Sequence, residues 1–183
     1  MPMCDAYIPT GALEPDAERA LIAKITEILV SHEVRRIFDL MDDPQEIEAS
    51  TERARSIAWT FVHRCDTYVA GAVPDAPYYR FIASVPEGQL DDEFIPAINR
   101  DILAALQEAE AGKWPDTGSR VWIFTREVPD GTWGAHGLGL HLKQIIDFVS
   151  PGWGHVADDR WQKKRAADAA ALVNLAAAQQ VSA

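Results

Sequence analysis

Two stretches decide the fold: residues 7–29, YIPTGALEPDAERALIAKITEIL, and residues 84–106, SVPEGQLDDEFIPAINRDILAAL. Laid over one another at an offset of 77 positions, Pro9 meets Pro86, Gly11 meets Gly88, Leu13 meets Leu90, Ile25 meets Ile102 and Leu29 meets Leu106. The matches fall on turn punctuation and on apolar positions, where a repeated supersecondary unit is most constrained. Both stretches read as a strand, a Pro-x-Gly-x-Leu turn, acidic residues and then a helix. In the first, Met3–Ile8 is the strand and Pro15 opens the helix, where its missing N–H costs nothing. Asp16 and Glu18 suit the positive end of the helix dipole, and Leu21, Ile22, Ile25, Ile28 and Leu29 form one apolar stripe. In the second, Tyr79–Val85 is the strand. Asp91, Asp92 and Glu93 open a helix that aligns Ile95, Ile98, Ile102 and Leu106, with Pro96 near its first turn as a source of delay or bending.

A second alignment, at an offset of 63, puts Ser56, Trp59 and Phe61 over Ser119, Trp122 and Phe124. Each unit therefore closes with a returning strand, Ile57–Arg64 and Arg120–Glu127. The first unit's longer connection, residues 35–55, holds a further amphipathic stretch with Pro44. A strand–helix–strand unit of this size predicts a right-handed crossover with parallel strands. The expected fold is α/β: two consecutive β-α-β units forming one mainly parallel four-stranded sheet, with two helices on one face. The other sheet face is then apolar and calls for a cover, most simply another subunit. Residues 1–150 are expected to be a single domain (unit one 2–76, unit two 77–150), followed by a C-terminal helical arm over 151–183, with its Ala-rich helix at 156–179.

The 183 residues carry 28 acidic and 17 basic side chains, a formal charge of −11. This balance argues against a polyanion partner, since nucleic-acid affinity comes mainly from neutralised phosphates. There is no apolar run long enough to span a bilayer, and the segment MPMCDAYIP has neither a charged nor an apolar leader region. Cys4 and Cys65 are too few for a disulfide framework, and a reduced, cytoplasmic setting is expected.

Pro2 carries the most distinctive chemistry. Removal of the preceding methionine would leave a secondary amine with a reference pKa of roughly 7.7–8.0. Burial lowers that value and yields a base poised near neutral pH; the plainer alternative is a Met-Pro start without catalytic meaning. The segment Glu127–Gly137, EVPDGTWGAHG, reads as a glycine-rich hairpin. It is no phosphate loop, because no Gly-Lys-Ser/Thr opens a helix there, and Trp133 in it is either a buried anchor or a pocket wall. Strand alternation places Arg120, Trp122, Phe124 and Arg126 on one sheet face, as binding cations or as salt-bridged strand ends. His63 is either a pocket hydrogen-bonding group or a satisfied half-buried histidine. The spacings His63–Cys65 and His136–His141 fit no zinc motif, and no metal is expected.

A strand headed by Pro2, a Pro-x-Gly turn, an acidic-capped helix, a returning strand and a Gly-Trp-Gly-type hairpin together resemble the tautomerase superfamily. The pattern is closest to that of 4-oxalocrotonate tautomerase, duplicated in one chain over roughly residues 2–140. The resemblance implies an isomerase that needs no cofactor. Pro2 would be the general base on small 2-oxo acids or their enols, and Arg120 or Arg126 would bind the carboxylate or enolate oxygen. Trp133, Trp122, Tyr79 and His63 would line the pocket, and the assembly would be a homotrimer. The family's arginine after the first turn is replaced by Ala12, and in unit two by Gln89. The arginine pair and histidine of the cis-3-chloroacrylic acid dehalogenases are replaced by Pro86, Gln89 and Leu29. Tyr79, the counterpart of Pro2, is internal, so one chain carries at most one proline site. The alternatives implied are a Pro-dependent hydratase, dehalogenase or decarboxylase, and a non-catalytic oligomer with a degenerate ligand pocket.

Overall fold

In the computed structural model, which describes residues 2–90 and 93–181, the two repeats become two β-α-β units of one sheet. The first comprises β1 (Met3–Pro9), α1 (Pro15–Phe38), α2 (Pro44–Ser56) and β2 (Trp59–Cys65). The second comprises β3 (Tyr79–Pro86), α3 (Phe94–Glu110) and β4 (Val121–Val128). The sheet order is β2-β1-β3-β4. β1 and β2 are parallel, as are β3 and β4, and the central β1–β3 pair is antiparallel. The aligned glycines have the same backbone role: φ is 74° at Gly11 and 90° at Gly88, the left-handed conformation that a side chain resists.

Alternation along the strands separates two faces. Cys4, Ala6, Ile8, Phe81 and Ala83 point toward the helices and pack against Leu21, Ile25, Leu29, Ile98, Ile102 and Leu106. Each fully buried leucine or isoleucine contributes about 1.5–3 kcal/mol. Burial pushes the Cys4 thiol up to about 12, which leaves it an inert core residue. Among the described residues, nothing covers the opposite face. Trp59 and Phe61 on β2, and Trp122 and Phe124 on β4, form two edge-to-face pairs there with ring centroids 6.4 and 6.3 Å apart, and all four are exposed.

Three details differ from the sequence reading. First, α3 begins at Phe94, and Pro96 sits in its first turn, where its missing N–H removes no intrahelical bond; Asp91 and Asp92 lie outside the described residues. Second, Arg120 is not a strand residue. It ends a 3-10 turn, Thr117–Arg120, and its side chain is buried instead of standing on the open face. Third, residues 142–149 form a helix, α4 (Leu142–Val149), that was not anticipated although Leu142, Ile145, Ile146 and Val149 have helical spacing. α4 packs with Ile37 and Met41, and Val149 packs with Val30, Val34 and Ala54, so α2 and α4 cover the second half of α1. α2 is capped by Asp43, whose Oδ1 accepts from Gln45 N at 2.9 Å. The last described element is α5 (Val156–Val181), which meets the body through Ala157 and through Lys164. None of the described helices is long and apolar enough to cross a membrane.

Candidate functional site

The antiparallel central pair sorts the candidate residues into two groups. Near one end of the sheet, Trp59, Met3, Ser84 and Arg126 form a row across all four strands. Near the other, His63, Tyr7, Arg80 and Trp122 form the corresponding row. Four residues of β1 separate the rows, about 13 Å of strand. Pro2 directly precedes Met3, whereas Tyr79 opens β3 beside the second row. Pro2 and Arg126 therefore belong to one end, and Tyr79, Trp122 and His63 to the other.

The Pro2 end is closed by the chain's own elements. Pro2 is buried. Arg126 Nε donates to Ser84 Oγ at 2.8 Å and has no carboxylate partner among the described residues. Glu127 Oε1 accepts from Gly88 N at 2.8 Å and Leu90 N at 2.9 Å, which pins the second Pro-x-Gly turn, and its other oxygen holds Lys164 of α5 at 3.0 Å. The hairpin β5 (Trp133–Ala135) and β6 (Leu138–Leu140) follows β4. It turns through His136 and Gly137, both at positive φ as a two-residue hairpin requires. Gly139 must lack a side chain, since a Cβ there would collide with the Gly131 carbonyl. Trp133 is buried in this hairpin. The hairpin is moored by Asp130, whose N–H donates to Glu87 at 2.9 Å and whose carboxylate takes Leu142 N and His141 Nδ1 at 2.7 Å each. Burial pushes the Asp130 carboxyl upward, but the His141 and Leu142 bonds outweigh it and hold its pKa below the usual range.

The Tyr79 end is open. A cleft of about 530 Å³ lies there, lined by Tyr7, Tyr79, Arg80, Arg120 and Trp122 and by the segment after β2. Arg120 is 4% exposed and fully engaged. Its Nε donates to Pro115 O at 2.9 Å and its Nη1 to Pro77 O at 2.7 Å, while Nη1 and Nη2 grip Glu110 at 2.8 and 2.6 Å. Glu110 also accepts from Thr117 Oγ1 at 2.7 Å. Burial pushes the Glu110 carboxyl upward, yet these bonds prevail and keep its pKa below the ordinary carboxylate value. The expected role of Arg120 as a substrate cation thus meets a guanidinium already bound to a buried carboxylate. The cation that sequence reasoning left in the background is Arg80. Its guanidinium lies 3.9 Å over the Tyr7 ring, Tyr7 stacks on His63 at 4.5 Å, and His63 Nε2 meets Asp5 Oδ1 at 2.7 Å. Strand parity was the available signal for Arg80, but using it requires knowing which strand lies beside β1.

Among the described residues, no three His, Cys, Asp or Glu side chains come together as a metal cluster. No family sequence model and no curated protein sequence matches the chain. Solved structures do match in fold. N1, a member of the cis-3-chloroacrylic acid dehalogenase family, superposes with a TM-score of 0.57 at 13% identity, over 86% of this chain and 99% of its own. Pt0534 inactivated by 2-oxo-3-pentynoate gives 0.56 at 16% identity, over 78% and 98%. The Q0 fused 4-OT, a symmetric trimer, gives 0.54 at 18% identity, over 76% and 94%. By sheet order, paired units and these superpositions, the chain has the fold of the tautomerase superfamily, with two β-α-β units fused in one polypeptide.

Proposed function

We propose that this chain is a cofactor-independent isomerase of the tautomerase type, with Pro2 as general base once its nitrogen is a free amine. The observation that carries this reading is the placement of Pro2, buried at the head of β1 and one residue from the row that holds Arg126. Burial disfavours the protonated amine and leaves a neutral base near pH 7. The base would take a proton from the α-carbon or enol oxygen of a small 2-oxo acid. It would then return that proton at another atom of the conjugated system, for a net isomerisation. Arg126, held by Ser84 and without a carboxylate partner, would stabilise the enolate or carboxylate charge. Trp133 would wall the pocket. The substrate class draws support from the neighbour inactivated by 2-oxo-3-pentynoate, itself a 2-oxo acid.

The assembly proposed is a homotrimer in which the exposed face around Phe61 and Phe124 meets other copies, as the trimeric state of the fused 4-OT neighbour suggests. A second reading, a non-catalytic ligand-binding oligomer, is favoured by one fact: Pro2 is buried in the chain. Two measurements separate the readings. Intact mass reports whether the initiator methionine is gone, and ketonisation of phenylenolpyruvate compares wild type with Pro2→Ala. The proposal expects a processed terminus and a loss of about 100-fold or more in kcat/KM. A retained methionine, or equal rates, would reject it.

A further inference from the structure

The open cleft at the Tyr79 end has no proline, and its chemistry is of a different kind. We propose that it is a second site, which binds a compact aromatic monocarboxylate with Arg80 as its cation and Trp122 as its platform. The inference stands apart from the proline chemistry and holds whether or not Pro2 is a base.

Two observations converge on it. The first is the state of Arg80. Its guanidinium face lies on Tyr7, but it has no carboxylate partner among the described residues, so the N–H groups along its edge remain available. An arginine held flat in this way presents its planar fork to a carboxylate with little further ordering. The second is the wall. Trp122 is the direct cross-strand partner of Arg80, stands two positions along β4 from Phe124 on the cleft side, and is 70% exposed in the single chain, so an aromatic ring whose acid group sits on Arg80 would lie against the indole. Tyr79 closes the floor behind them: it is 4% exposed, packs in the core on the helix side of the sheet, and turns its hydroxyl toward the Glu110–Arg120 pair. Burial first, and then the neighbouring Glu110 carboxylate, push its pKa upward, so it stays a neutral phenol.

The charge around the cleft narrows the ligand. Asp66 also lines it, and Glu110 stands behind Arg120, whose charge it neutralises. A phosphate or dicarboxylate would meet one unpaired cation and two carboxylates, whereas a monoanion with an apolar body satisfies Arg80 and the aromatic wall together. The volume of about 530 Å³ lies within the usual range for small-molecule sites and well exceeds the bulk of a substituted benzene ring.

The test is isothermal titration of the purified full-length oligomer with phenylacetate, and with 2-phenylethanol as its uncharged counterpart. Phenylacetate is expected to bind wild type and Pro2→Ala alike, and 2-phenylethanol to bind at least about tenfold more weakly. Arg80→Gln should lose about tenfold in affinity for phenylacetate, and Arg80→Lys should lose less, because it keeps the charge without the fork. Should Arg80→Gln fail to fold, Arg80→Lys and Trp122→Ala, each expected to weaken binding severalfold, decide the matter. Unchanged affinity in the Arg80 variants, a loss that follows Arg126→Gln instead, or no binding to wild type would overturn the proposal; the second outcome would move the ligand to the Pro2 end.

Discussion

The two ends of the sheet are built on the same plan and finished in opposite ways. Both have a Pro-x-Gly turn close by, a tryptophan on the edge strand and, among the described residues, a cation without a carboxylate partner: Arg126 at one end, Arg80 at the other. At the Pro2 end the extra elements close in. The hairpin, α4 and Lys164 of α5 are tied to Glu87, Glu127 and Asp130, and Pro2 is buried. At the Tyr79 end the ion pair of Glu110 and Arg120 braces the start of β4 and a cleft stays open. Position 64 and its repeat counterpart 127 make the divergence concrete. Arg64 forms an exposed two-point ion pair with Glu18, 2.6 Å on each side, whereas Glu127 holds the backbone of the second turn. One position thus decorates the surface in unit one and organises a turn in unit two.

Substitutions that remove one finishing device at a time should break this contrast to different degrees. Glu110→Gln should be the most damaging, because it leaves the Arg120 guanidinium buried beside a neutral amide. A loss of about 3–5 kcal/mol is expected, seen calorimetrically as a drop in Tm of roughly 10 °C. The same pair predicts an acid dependence. The folded-state pKa of Glu110 lies below its unfolded value, so its contribution is complete above about pH 4.5 and disappears as pH falls through the depressed value. Urea titrations of wild type below pH 4.5 should lose stability that Glu110→Gln no longer has to lose, and parallel pH profiles for the two proteins would contradict the assignment.

At the closed end, Arg126→Gln should lower kcat/KM for phenylenolpyruvate by about 100-fold if Arg126 carries the developing charge; an unchanged value retires it. Glu127→Ala removes the acceptor of two backbone N–H groups and the anchor of Lys164, and should cost about 1–3 kcal/mol in chemical denaturation. Faster amide exchange at Gly88 and Leu90 should accompany that loss. Glu18→Gln, at the surface pair, is expected to cost less than about 1 kcal/mol, because an exposed ion pair is screened and carries side-chain entropy. A cost equal to that of Glu127→Ala would mean that the two units have not diverged at this position.

The sequence resolved the units better than their relation. The offset of 77 correctly paired Gly11 with Gly88, because a positive φ leaves a glycine in both places. Alternation correctly put Trp122, Phe124 and Arg126 on a common face. It failed at Arg120, where the sequence TGSR closes into a 3-10 turn and directs the side chain to Glu110 before the strand begins. What the repeat could not convey is the direction of one unit against the other. Similar local patterns suit a parallel or an antiparallel join, and the register that runs from Met3 beside Ser84 to Tyr7 beside Arg80 makes it antiparallel. For that reason Pro2, Tyr79, Trp122 and His63, grouped in sequence as one pocket, separate onto two ends. Residues 142–149 were legible in their helical apolar spacing, although the helix is only two turns long and directly follows a glycine-rich hairpin.

The antiparallel join of β1 and β3 also bears on descent. Two separate copies of a single β-α-β chain joined in this way would have identical ends, and each substitution would appear at both. Covalent linkage removes that identity. One proline can lose its free amine and become Tyr79, and one arginine can turn inward as Arg120, without any change at the opposite end. Fusion therefore doubles the number of independently heritable pockets at constant architecture, and allows one end to be sealed while the other is left to acquire a ligand of its own.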